Sequence, residues 1–170
     1  MLPVSKLLRI AKIVCVGAIG LMALLIVIGN ITDYYTNYQF VVHVLKMDTV
    51  FPGSQIQYRH IDNTVLVNAA YIFIIALEAL MAYCCIKGCW SLVKKLNSNG
   101  VDFHAAKNWA VAGIIAGIII WFLGFEVIGG EWFAMWQSTQ WNGLGSAERI
   151  VNFLVMALIL LHLKETEHAA

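Results

Sequence analysis

Hydrophobic and polar positions fall in long blocks along this chain. From Ile13 to Ile28 an apolar run is interrupted only by small residues. Widened to residues 10–31, it reaches the roughly 20 residues that a helix needs to cross a hydrocarbon core of about 30 Å. Three more runs, at 65–86, 109–128 and 147–163, meet or approach that length. The pattern predicts an all-α membrane protein, an antiparallel bundle of four transmembrane helices.

The blocks between the spans have their own periods. Residues 33–63 are too polar to cross a membrane. Within them Tyr34, Tyr38, Val41, Val42 and Leu45 recur at helical spacing, and Thr36, Gln39, His43 and Lys46 fall on the opposite side. That spacing predicts an amphipathic helix, with Asp33 as its N-cap. Phe51-Pro52-Gly53 predicts a turn, and Ser54 is placed to cap a second short helix. Residues 87–108 form a polar, basic loop with a turn at Asn97-Ser98-Asn99-Gly100. Residues 129–146 are the second segment on the side of residues 33–63, and the two together predict a helical cap.

Composition removes the soluble alternative. The chain is 61% hydrophobic and 12% charged, against about 45–50% and about 25% in soluble domains. Only a bilayer can cover that much apolar surface, so residues 1–170 read as a single membrane domain. The net charge of +1 gives no basis for a nucleic-acid partner. The basic start followed by an apolar run also resembles a secretion signal. However, Gly29-Asn30-Ile31-Thr32-Asp33 offers no small-x-small cleavage site, so the first span is expected to be retained.

Charge then orients the spans. Lys6, Arg9, Lys12, Lys87, Lys94, Lys95, Lys107 and Lys164 lie on the side of the termini, and only Lys46, Arg59 and Arg149 lie opposite. The positive-inside rule places both termini in the cytoplasm. The other side is acidic through Asp33, Asp48, Asp62, Glu126, Glu131 and Glu148.

Candidate chemistry is sparse. Cys15, Cys84, Cys85 and Cys89 lack the matched second pair and histidines of a metal site, and read as buried thiols. No histidine sits mid-span, where a pair would clamp a haem. There is no Ser-His-Asp set and no phosphate loop, so an enzyme is not expected. No metal or cofactor is predicted; a bound lipid or quinone is compatible with the pattern.

Glu78 is the sharpest single residue, because a carboxylate deep in a bilayer faces the bundle interior with a partner. No Lys or Arg lies mid-span to serve, so the carboxyl is either protonated or bonded to a group such as Asn30, Asn68 or Asn152. Its role is either a proton, cation or ligand anchor, or a polar pin between helices. Gly113 and Gly117, extended by Gly124, make a small-residue face for close helix packing, inside this bundle or in a homo-oligomer. Most functional-looking side chains crowd Gly124–Gly143. Glu126 and Glu131 bracket Gly129-Gly130, and Trp132, Trp136, Gln137, Trp141 and Asn142 follow. These residues are placed to line a cleft beneath the Asp33–Asp48 helix, or else to form an aromatic belt.

Several strings carry a resemblance across nearly the whole chain. They are Asn30-Ile31-Thr32-Asp33-Tyr34, His43-Val44-Leu45, Met47-Asp48-Thr49, Phe51-Pro52-Gly53, and the stretch from Gly129-Gly130-Glu131-Trp132-Phe133 to Trp141-Asn142-Gly143. With them the chain resembles a bacterial family of predicted small integral membrane proteins of unknown function, the domain of unknown function 2165 family. The resemblance implies a four-helix protein of the bacterial inner membrane and brings no activity with it. The leading expectation is a non-catalytic accessory subunit of a larger inner-membrane complex, respiratory or transport-related. The alternatives are a protein that binds lipid, quinone or another small molecule, and an oligomeric transporter or channel that uses Glu78.

Overall fold

A computed structural model describes residues 2–165. Among them all regular structure is helical: α1 (Val4–Thr32), α2 (Tyr34–Lys46), α3 (Thr64–Lys94), α4 (Gly100–Ala105), α5 (Asn108–Ile118) and α6 (Leu144–His162). From Ile119 to Trp132 the chain beyond α5 continues as a π-helix. Four helical stretches, Val4–Thr32, Thr64–Lys94, Gly100–Trp132 and Leu144–His162, are long and apolar enough to cross a membrane. At about 1.5 Å per residue, α1 and α3 outreach a hydrocarbon core and α6 only just matches one.

The first three expected spans lie inside these helices and the fourth overruns α6 by one residue, Leu163, but the helices begin or end further out than the spans. Val4 precedes the first expected span by two turns, and α3 continues eight residues past Ile86. Hydropathy marks where a helix meets lipid, whereas the backbone ladder continues as long as nothing breaks it. The loop expected over 87–108 therefore shrinks to a turn at 95–99 followed by α4. Two predicted caps are also corrected. Asp33 precedes α2 but makes no capping bond with its side chain. The short 3₁₀ turn Gln57–Arg59 has Ile56, not Ser54, at its head. Side-chain caps form instead at Asn63, which accepts from the amides of Val65 and Leu66 and opens α3, and at Asn99, which accepts from Asp102 N and opens α4.

α3 is the central helix, packed on α1, α2 and α5. Small residues set its closest approaches. A Cβ built on Gly88 would stand 2.5 Å from Ala110 N, one on Gly113 would stand 2.9 Å from Cys85 N, and one on Gly117 would stand 2.9 Å from Met81 Cε, as well as 2.7 Å from Leu154 Cδ1 of α6. The predicted Gly113/Gly117 face thus packs within this chain. Gly124 is not part of it, since a Cβ there meets only Ile119 O, at 3.6 Å. Leu25, Phe73, Phe122 and Phe153 are exposed on the outside of the bundle, an apolar surface that lipid covers.

Where α1 gives way to α2, a second layer sits on the bundle. Tyr34 and Tyr38 of α2 pack on Tyr71 of α3. Asn68 joins them by accepting from Tyr34 Oη (3.0 Å) and donating to Tyr38 Oη (3.1 Å). The segment after α2 is tied to the segment after the π-helix. Thr49 Oγ1 donates to Ser138 Oγ (2.8 Å), Phe51 N donates to Gln137 Oε1 (2.9 Å), and Arg59 Nη1 donates to Trp132 O (3.2 Å). Gly53, at φ 82°, makes the turn predicted from Phe51-Pro52-Gly53.

Candidate functional site

The polar site grows from one residue on each of two helices. Asn30 lies in the last turn of α1, and Glu78 lies midway along α3, buried to 3% exposure. Asn30 Nδ2 donates to Glu78 Oε2 at 2.7 Å. Tyr71, two turns before Glu78 on α3, donates its hydroxyl to Asn30 O (3.2 Å) and Oδ1 (3.3 Å). The Asn30 amide is therefore used at both ends, and this fixes which way it points. Of the three asparagines offered by the sequence, Asn30 is the partner. Asn68 is committed to the tyrosines, and Asn152 is exposed on α6.

This pair opens onto a cavity of about 360 Å³. Asn37 from α2, and Asn142 and Ser146 at the head of α6, add polar groups. Phe40, Trp121 and Phe125 wall it. No Lys or Arg lines it, so Glu78 is answered by hydrogen bonds alone. A second cavity of about 280 Å³ adjoins it, sharing Phe40, Val41, Ile74 and Phe125 as a common wall. Its lining, with Phe73, Leu77, Ile119 and Leu123, is almost wholly apolar. Gly124, expected at a helix contact, lines this second cavity instead.

An aromatic relay connects the wall to the outer surface. Phe40 stacks on Phe125 (centroids 5.8 Å) and meets Trp141 edge-on (6.4 Å). The His43 ring stacks on Trp141 at 4.5 Å, and its Nδ1 lies 2.8 Å from Asp48 Oδ2. Of the residues singled out in the Gly124–Gly143 stretch, Asn142 lines the cavity, whereas Trp141 and the exposed Asp48 sit behind its wall, on Phe40 and His43. The other predicted residues stay away from it. Trp132 is half-exposed beneath the Arg59 guanidinium (4.5 Å), and Trp136 is half-exposed edge-on to Phe51. Gln137 accepts from Phe51 N through its Oε1. Asp33 and Glu131 are exposed. Glu126 is partly buried, and its Oε1 has no hydrogen-bond partner among the described residues. Sequence reasoning missed Phe40, Tyr71, Trp121 and Phe125; nothing but their place in the fold marks them. The described residues include no His/Cys/Asp/Glu group suited to a metal.

The model of the family described as predicted small integral membrane protein (DUF2165) matches residues 8–164. The chain belongs to that family. No curated protein and no solved structure matches it.

Proposed function

We propose that this family member is a non-catalytic binding protein of the bacterial inner membrane. In this reading it is an antiparallel four-helix bundle with its termini in the cytoplasm and a periplasmic cap. Its polar cavity receives the head of an amphiphile, and the adjoining apolar cavity receives part of the body. The observation that carries the reading is the buried Glu78 carboxylate, oriented by Asn30 at 2.7 Å and facing open volume rather than a cation. A convergent set of polar groups at the end of an apolar pocket is the usual form of a ligand site. The lining also sets the ligand class. With a carboxylate and no Lys or Arg, the site disfavours a phosphate head and suits a neutral or cationic hydrogen-bonding head, such as that of a quinone or an amine-bearing lipid.

The test is to purify the full chain in mild detergent, extract it and identify co-purified small molecules. Thermal unfolding is then measured against a panel of quinones and of neutral and cationic lipids, since a ligand that binds only the folded state raises the midpoint. One such amphiphile should stabilise the wild type, and Glu78→Gln should weaken that effect about tenfold or more, the loss of one charge-assisted hydrogen bond. An empty extract together with no stabilisation by any panel member would sink the proposal.

A second reading, an accessory subunit, draws on a different observation. Phe51, Trp132 and Trp136 stand about half-exposed on the two tied outer segments, the kind of aromatic anchors found at protein interfaces. Here Trp132→Ala and Trp136→Ala should release a stoichiometric partner from a pull-down in mild detergent, with Glu78→Gln having little effect. Recovery of the chain without any stoichiometric protein partner would reject it.

A further inference from the structure

Donors and acceptors are unequally placed in the Glu78 cavity. Glu78 is almost wholly buried, and of its two carboxylate oxygens only Oε2 receives a hydrogen bond, from Asn30 Nδ2. No described residue donates to Oε1. Tyr71 directs its hydroxyl hydrogen to Asn30 instead. Asn37 directs its Nδ2 to Gly29 O and Asp33 O, which leaves its Oδ1 as a second open acceptor. Two donors stay open, Asn142 Nδ2 and the Ser146 hydroxyl, and both belong to exposed residues at the head of α6. Buried charges are normally paired, so the closed end of the cavity calls for a ligand that donates hydrogen or carries positive charge.

The walls suit the same charge. Phe40, Tyr71, Trp121 and Phe125 line the cavity, and no Lys or Arg does. Aromatic faces attract cations, most strongly where water is excluded, and rings around a cation are a common means of holding alkylated ammonium groups. The volume of about 360 Å³ lies at the lower end of the range for small-molecule sites, about 300–1,000 Å³, and matches a compact head. The surface around the mouth adds attraction at longer range. Among the described residues at that end of the bundle, Asp33, Asp48, Asp62, Glu131 and Glu148 are exposed, against Lys46, Arg59 and Arg149. Lys46 is already paired with Asp62. A surface of one dominant sign raises the local concentration of the opposite charge.

We infer that, given the amphiphile site proposed above, the head it selects is an organic ammonium ion. The ammonium group lies against Glu78 Oε1 among the four rings, and the alkyl chain lies in the adjoining apolar cavity. A quinone head is disfavoured in this arrangement, because its carbonyl oxygens accept hydrogen bonds and would face another acceptor.

The experiment uses the full chain in a neutral detergent, with thermal unfolding followed while decylammonium chloride, decanol, butylammonium chloride or decylubiquinone is titrated. Decylammonium should bind about tenfold more tightly than decanol, the worth of one charge-assisted contact. Glu78→Gln should erase that preference while sparing decanol, because Gln still accepts a hydrogen bond but carries no charge. If the variant does not fold, the comparison of decylammonium with decanol on the wild type decides the matter. Equal affinity for these two overturns the inference, and so does a preference that survives Glu78→Gln, which traces it to the acidic surface. Binding of decylubiquinone or decanol with no gain for decylammonium overturns it but leaves the amphiphile site standing. Butylammonium binding as tightly as decylammonium supports the ammonium site and makes its ligand a free amine rather than an amphiphile. Failure of all four to bind overturns both readings.

Discussion

A methyl group added at Gly88 has nowhere to go. The Cβ of Gly88→Ala would stand 2.5 Å from Ala110 N, 2.7 Å from Ala110 Cα and 2.9 Å from Ala110 Cβ. Two of these atoms are backbone, so no side-chain rotation relieves the clash, and α3 and α5 must move apart. Overpacking of this kind costs about 1–3 kcal/mol, and a rigid neighbour places it at the upper end. Alanine's better helix propensity returns about 1 kcal/mol. The net expectation is a loss of about 2 kcal/mol, roughly thirtyfold in the ratio of folded to unfolded protein. Gly29→Ala is the control, because a Cβ there has no atom within 4 Å, and it should be neutral or slightly stabilising. The assay is unfolding of the detergent-solubilised protein by titrated sodium dodecyl sulfate, followed by far-ultraviolet circular dichroism. A Gly88→Ala protein as stable as Gly29→Ala would refute the close α3–α5 contact.

Two further outcomes can be measured in the same way. Asn63→Ala should cost about 1 kcal/mol, because the amides of Val65 and Leu66 lose their cap; no change would mean that water caps them equally well. The exposed Lys46–Asp62 pair (2.7 Å) gives a pH signature. The hydrogen bond from Lys46, then its charge, holds the Asp62 carboxyl below its ordinary 3.8, and the same bond and charge raise Lys46 above its ordinary 10.5. The acid's share of stability is complete above 3.8 and lost as pH falls through its lowered value. The base's share is complete below 10.5 and lost as pH rises through its raised value. The stability difference between wild type and Asp62→Asn should therefore be small and flat between those limits and vanish at the extremes, and a difference that varied between pH 5 and 9 would contradict the pairing.

The membrane spans were legible because a length of apolar sequence is a property of composition. Their ends were not, since α3 continues through Lys94 on backbone hydrogen bonds that hydropathy does not register. Gly113 and Gly117 announced a close contact by spacing, but a single sequence carries the period and not the mate; Cys85, Met81 and Leu154 appear only in the fold. Gly124 failed for a specific reason. It follows Gly117 by two α-turns, but the helix changes period at Ile119, and seven residues no longer return to the same face. The Glu78 position was legible because carboxylates are rare in a bilayer, and its partner was narrowed to three asparagines. The cavity around it was not legible, because its walls are ordinary aromatic residues brought together by α2. The tryptophans stood out by number, yet Trp132 and Trp136 face outward while Trp121, inside an apolar run, reaches the cavity.

At the end of the bundle away from Glu78, the buried Arg9, Lys12 and Lys107 converge on Glu165, and this bears on how the protein is made. Arg9 and Lys12 are synthesised first, Lys107 much later, and Glu165 only after α6 is complete. Until then Arg9, Lys12 and Lys107 lack the Glu165 carboxylate that pairs with all three in the folded chain, and unpaired cations favour water or lipid headgroups over a bundle interior. Closure of that end is thus deferred until the last membrane helix has been delivered, which makes α6 the latch of assembly as well as the fourth wall of the bundle.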